Sequence, residues 1–126
     1  MNIENLLLLV KDCAFEVRKN LAQGYLESVY RRALMVELQS RGISAREEVP
    51  LSVDYKGFSV GDFRADIIVE DMVIVELKAV SELAPIHEIQ LVNYLTTTGI
   101  DHGFLVNYGG DKYRIIHKTR VYEQTK

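Results

Sequence analysis

Apolar positions divide the chain into eight segments with two periods. Ile3, Leu6, Leu7, Val10, Ala14, Val17 and Leu21 recur at helical spacing, which predicts a helix from about residue 3 to 22, broken by Gly24. A second helix is expected from about Leu26 to Arg41, with Gly42 as its stop. The period then falls to two. Val49, Leu51, Val53 and Tyr55 alternate with Glu48, Pro50, Ser52 and Asp54, the mark of a strand with one wet face. Pro50 assigns that strand to a sheet edge. Tyr55-Lys56-Gly57 turns the chain into a strand from Phe58 to Val69, and Glu70-Asp71 turns it into another from Met72 to Val80. Pro85 opens a third helix that ends near Thr98, with Gly99 as its stop. A strand from His102 to Asn107, a turn at Tyr108-Gly109-Gly110-Asp111 and a last strand from Lys112 to Lys118 complete the order.

The order α-α-β-β-β-α-β-β predicts an α/β fold, a mixed sheet flanked by helices, in one domain over residues 1–126. The third helix can serve as a right-handed crossover between parallel strands. Composition is that of an ordinary soluble globular protein, 48% hydrophobic and 26% charged. The net charge of −3 gives no global positive field for a polyanion, so a nucleic-acid partner would need a local patch or a bound cation. The longest apolar run, Leu6 to Val10, is far too short to span a bilayer and lacks the flanks of a signal peptide, so the expectation is a cytoplasmic protein with no membrane partner. The single cysteine, Cys13, excludes an internal disulfide and a cysteine metal cluster, and its apolar surroundings mark it as core.

Three ionisable residues break the apolar strands. Asp66, Glu76 and Lys78 lie in "RADIIVEDMVIVELKAV", where an unpaired carboxylate costs several kcal/mol or takes up a proton. Glu76 and Lys78 share a face of one strand and Leu77 points away. Asp66 falls opposite Glu76 only if the connecting loop has odd length, such as Glu70-Asp71-Met72. A two-residue loop would set Asp66 against Val75 and part the carboxylates. The same three-residue loop puts Ile68 and Ile74 with the charged set. One reading is a buried ion triad in which Lys78 pairs with Asp66 or Glu76. The other follows from charge: two carboxylates against one lysine leave a net −1, which suits a hard cation such as Mg²⁺ or Mn²⁺.

Asp66 followed by Glu76-Leu77-Lys78 on the next strand resembles the PD-(D/E)xK nuclease superfamily, and the element order agrees with its restriction-endonuclease-like core. Gln90-Leu91-Val92-Asn93-Tyr94 reads Q-x-x-x-Y, similar to the RecB-like exonuclease branch. Gly24-Tyr25-Leu26-Glu27-Ser28-Val29-Tyr30 reads G-x-x-E-x-x-Y, which resembles the GxxExxY family of the same superfamily. The chain departs from these patterns in having Arg64-Ala65 before the aspartate and Glu27 where the RecB-like branch carries histidine.

The resemblance implies a metal-dependent nuclease that hydrolyses phosphodiester bonds in nucleic acid, DNA in preference to RNA. Asp66, Glu76 and Glu27, with the carbonyl of Leu77, would hold Mg²⁺ or Mn²⁺. Lys78 would orient water or stabilise charge on the phosphate, with Gln90 and Tyr94 beside it. The alternative is a catalytically silent binding or interaction module on the same fold. Residue by residue, Glu27 could instead form an i,i+4 surface pair with Arg31, and Tyr30 reads as core with one hydroxyl partner. Gln90 needs a partner if buried, whereas His87 reads as a solvated first-turn residue. Arg64, two before Asp66, is expected on the same face, available to a phosphate or a carboxylate. Lys112, Arg114, Lys118 and Arg120 read as edge-strand protection with a secondary capacity for phosphate. A two-fold dimer suits so small a nuclease, although no residue demonstrates one.

Overall fold

A computed structural model describes residues 1–120. The elements are α1 (Ile3–Asn20), α2 (Glu27–Ser40), β1 (Ala45–Tyr55), β2 (Phe58–Val69), β3 (Val73–Lys78), α3 (Pro85–Thr98), β4 (His102–Asn107) and β5 (Arg114–Thr119). The five strands form one sheet in the order β1-β2-β3-β4-β5. Only β3 and β4 run parallel, joined through α3, and the other neighbours are antiparallel. β1, which carries Pro50, is an edge strand.

Each sheet face buries its own layer. Val10, Cys13, Val17, Tyr30 and Leu34 of α1 and α2 pack with Ile67, Val69, Val73, Val75 and Leu77 on one face. Leu91 and Leu95 of α3 pack with Ile68, Ile74 and Leu105 on the other. α3 lies close because Gly103 of β4 has no side chain: a Cβ there would come within 2.9 Å of Leu91 Cδ1. No helix among the described residues is long and apolar enough to cross a membrane.

Boundaries move where hydrogen bonding overrides periodicity. α1 ends at Asn20, because Leu21 is already extended. β1 begins four residues earlier than the apolar alternation, since Ala45, Arg46 and Glu47 pair with Val69, Ile68 and Ile67 while showing mostly charged, exposed side chains. β3 stops at Lys78 because the backbone N–H and C=O of Val80 are both taken by the side chain of Asn107, at 3.1 and 2.9 Å. β5 starts at Arg114, the partner of Asn107. The β2–β3 connection is the three-residue Glu70-Asp71-Met72, with Met72 N–H donating to the Val69 carbonyl at 2.9 Å. Glu70 and Asp71 both adopt left-handed φ, 52° and 54°, a strained conformation for residues with a Cβ. Their side chains hold it, Glu70 accepting from Ser44 N–H at 2.9 Å and Asp71 pairing with Arg46 at 2.6 Å.

Candidate active site

The loop length fixes the register. Ile68 pairs with Ile74 and Ile67 with Val75, so the next pair along is Asp66 and Glu76. The backbone ladder ends before that pair. In its place each carboxylate spans to the other strand: Asp66 N–H donates to Glu76 Oε2, and Leu77 N–H donates to Asp66 Oδ2, both at 2.7 Å. One oxygen of each carboxylate is thereby fixed. The second oxygen of each has no hydrogen bond to the protein among the described residues. Glu76 is buried at 8% exposure and Asp66 is half-buried.

Burial is the main reason both carboxyls hold protons unusually well. Desolvation raises Asp66, opposed by the Leu77 N–H bond, and the nearby charge of Glu27 raises it further. Desolvation and then the charge of Asp66 push Glu76 up to about 8. Lys78 lowers both, yet it forms no direct ion pair with either carboxylate. The closed triad, in which Lys78 neutralises an acid by contact, is therefore not what the fold builds. Lys78 is half-buried at the end of β3, and its carbonyl accepts from Tyr108 N–H at 2.9 Å.

The other expected residues gather unevenly. Glu27 is the first residue of α2, exposed but close enough that its charge acts on both acids. It does not pair with Arg31, which instead binds Glu47 at 3.0 Å and Glu48 at 3.7 Å. Among the described residues, no three acidic, histidine or cysteine side chains converge into a ready-made metal cage. The carboxylate pair offers two ligands with free oxygens, with Glu27 standing off. Leu77 buries its side chain in the α1–α2 layer and meets the site through its backbone.

Tyr94, on α3, feels both acids: burial and the charges of Glu76 and Asp66 raise its hydroxyl. Gln90, one turn earlier, is exposed and borders a groove with Tyr94 and Phe63. Arg64 does not join the carboxylates. Ala65 and Ile68 both face the α3 layer although they are three residues apart, so strict alternation fails between them. Phe63 touches Tyr94 of α3 and Ala65 faces the same way, which turns Arg64 between them to the opposite side, exposed beside Pro50, Ser52 and Asp62. His87 is a capping residue, its Nδ1 accepting from Ala84 N–H at 3.0 Å. Lys118 pairs with Glu88 and Arg120 with Asp101.

Two groups escaped the sequence reading. Arg31 is the second cation acting on Asp66; its position one turn after Glu27 on the same helix face was the available signal. Asn107, 2% exposed, accepts from Val80 N–H and Gly109 N–H and donates to the Val80 carbonyl. It thereby staples the segment that follows Lys78. Nothing in the sequence distinguishes it from an ordinary turn asparagine.

Tyr30 explains why the G-x-x-E-x-x-Y string is placed here. Its ring stacks on Tyr108 at 4.7 Å and 5°, and its hydroxyl donates to the Ala22 carbonyl at 2.6 Å and accepts from Tyr25 N–H at 3.3 Å. Tyr108 in turn bonds Lys78 through its backbone. The helix start that carries Glu27 is thus tied to the strand end that carries Lys78.

Comparison with known proteins bears on the fold and the family. Among solved structures, "Crystal structure of SSO0001" has the same fold, with a TM-score of 0.60 and 20% identity over 76% of this chain and 50% of that one. The chain thus spans half the length of that protein. A search of curated proteins finds no match. The sequence itself matches the PD-(D/E)XK nuclease superfamily over residues 4–119, a span that includes Glu27, Asp66, Glu76, Lys78, Gln90 and Tyr94, and the chain belongs to that superfamily.

Proposed function

We propose that this protein is a divalent-metal-dependent nuclease that hydrolyses phosphodiester bonds in DNA, and that it belongs to the GxxExxY branch with a RecB-like Q-x-x-x-Y helix. The observation that carries the reading is the carboxylate pair. Asp66 and Glu76 are each fixed through one oxygen and leave the other open, while Lys78 stands near without neutralising them. An arrangement built only for stability would close this charge with direct contacts. PD-(D/E)XK nucleases generally use divalent metal ions, and a pair of fixed carboxylates with free oxygens suits a hard cation.

Asp66, Glu76, the carbonyl of Leu77 and, after a side-chain movement, Glu27 would hold Mg²⁺ or Mn²⁺. When bound, the cation supplies Lewis acidity to the phosphate and to water. The protein's own groups do the rest. Lys78 places a positive charge where negative charge develops on the phosphate. Gln90 offers an amide to substrate or water, and Tyr94 forms the wall between the acids and the groove. Arg64 meets substrate only as an outlying phosphate contact on the edge of the hairpin.

Incubation of plasmid, single-stranded DNA and RNA with Mn²⁺ tests the reading. Wild type should cleave nucleic acid, and Lys78→Ala should lose at least an order of magnitude. Absence of cleavage on every nucleic acid would return the protein to the silent binding module.

A further inference from the structure

β2 pairs with β3 only at Ile67, Ile68 and Val69, while the stretch 58–65, interrupted by a bulge at Val60, pairs with β1 alone. The β1–β2 hairpin therefore extends past the sheet as a two-stranded arm, and α3 lies beside it. Between arm and helix is a groove of about 410 Å³. Its base is aromatic: the rings of Phe63 and Tyr94 lie 5.8 Å apart at 51°. Phe63 is 44% exposed, so its face is open to a ligand. Its ring lies against the strand at Gly61, where a Cβ would meet the ring edge at 3.1 Å. The rim carries the amides of Gln90 and Asn93 and no charged residue.

We propose that this groove holds one unpaired nucleobase adjacent to the phosphate being cleaved, which makes single-stranded nucleic acid the substrate. The inference rests on the nuclease reading for its position, because Tyr94, which lines the groove, packs on the same sheet layer as Ala65, Ile68 and Ile74, next to the carboxylate pair in sequence, and feels the charges of both acids. The chemistry of the lining identifies the occupant. An uncharged groove does not select phosphate. The exposed ring of Phe63 stacks on any base, and amides donate to and accept from base edges. Within a duplex both faces of a base are covered, so filling such a groove from a duplex costs a few kcal/mol of unstacking that a single strand is largely spared.

The test uses a short single strand containing 2-aminopurine, whose fluorescence falls on stacking, titrated with the full-length Asp66→Asn protein without metal. Saturable quenching is expected. Adding Phe63→Ala should weaken it about tenfold, within the usual worth of one base–aromatic stack. Adding Phe63→Tyr instead should restore it, which separates stacking from misfolding. An unlabelled single strand should compete at least tenfold better than the same sequence as duplex. No quenching, quenching indifferent to Phe63→Ala, or equal competition by duplex overturns the proposal. Wild type with Mn²⁺ on the same strand keeps the two readings apart. Quenching without cleavage defeats the nuclease reading and leaves the base site standing; cleavage without quenching does the reverse.

Discussion

Asp66 and Glu76 hold β2 and β3 together at the point where the backbone ladder stops. The amide of Asp66 is bonded to the carboxylate of Glu76, and the carboxylate of Asp66 to the amide next to Glu76, each at 2.7 Å. Two acids that repel one another are thus built into the sheet, each with one oxygen committed and one open. The cost of that arrangement in the metal-free protein should be measurable.

The first prediction concerns pH. The folded-state proton affinity of both acids is raised, with Glu76 at about 8. Between the ordinary carboxylate range and about 8, the folded state therefore holds more protons than the unfolded state, and stability falls as pH rises through that window. For one proton the limiting slope is about 1.4 kcal/mol per pH unit. Metal-free melts from pH 5 to 8 should show the decline, and Glu76→Gln should flatten it. Metal binding should displace the same proton, seen in calorimetry as a heat that depends on the buffer. A profile flat for wild type would count against the buried, coupled pair.

The second prediction concerns Asn107. Asn107→Leu leaves Val80 N–H, the Val80 carbonyl and Gly109 N–H without their partner. The loss should cost about 1–3 kcal/mol in urea unfolding. Because Val80 lies two residues after Lys78, cleavage should fall by more than the folded fraction explains. Asn107→Asp, which keeps both accepted bonds, should lie between Asn107→Leu and wild type.

Tyr30 supports a third. Tyr30→Phe keeps the stack on Tyr108 and loses the bond to Ala22, so it should cost about 1 kcal/mol. Tyr30→Ala empties a fully buried ring site and should cost about 3–5 kcal/mol. Equal losses in chemical denaturation would mean that the hydroxyl's bonds to the α1–α2 connection, and not the stack on Tyr108, hold the start of α2 in place.

Much of this was legible in the chain. The bounds of β2, α3 and β4 follow from apolar runs closed by glycine, proline and turn residues, and the register of Asp66 against Glu76 follows from the parity of one loop. Two kinds of information were hidden. After the small, half-buried Ala45, the next three residues of β1 have charged side chains that face water, so the pairing of this stretch leaves little hydrophobic trace. The orientation of Arg64 depends on a break in alternation between Ala65 and Ile68, where side chains replace ladder bonds, and no local residue pattern announces it. Arg31 was only half legible: its place one turn after Glu27 was visible, but its partners Glu47 and Glu48 lie on another element.

The central claim, that the carboxylate pair is a metal centre and not a structural ion cluster, is tested most directly by the stability gained on adding Mn²⁺. Wild type should gain RT ln(1 + [L]/Kd), about 2.7 kcal/mol at a hundredfold excess over Kd. Asp66→Asn should lose most of that gain, whereas Lys78→Ala should keep it, because removing a neighbouring cation favours a bound one. The contrary result is a wild type that Mn²⁺ does not stabilise, together with a Lys78→Ala protein that is strongly destabilised because its acids have lost their counter-charge.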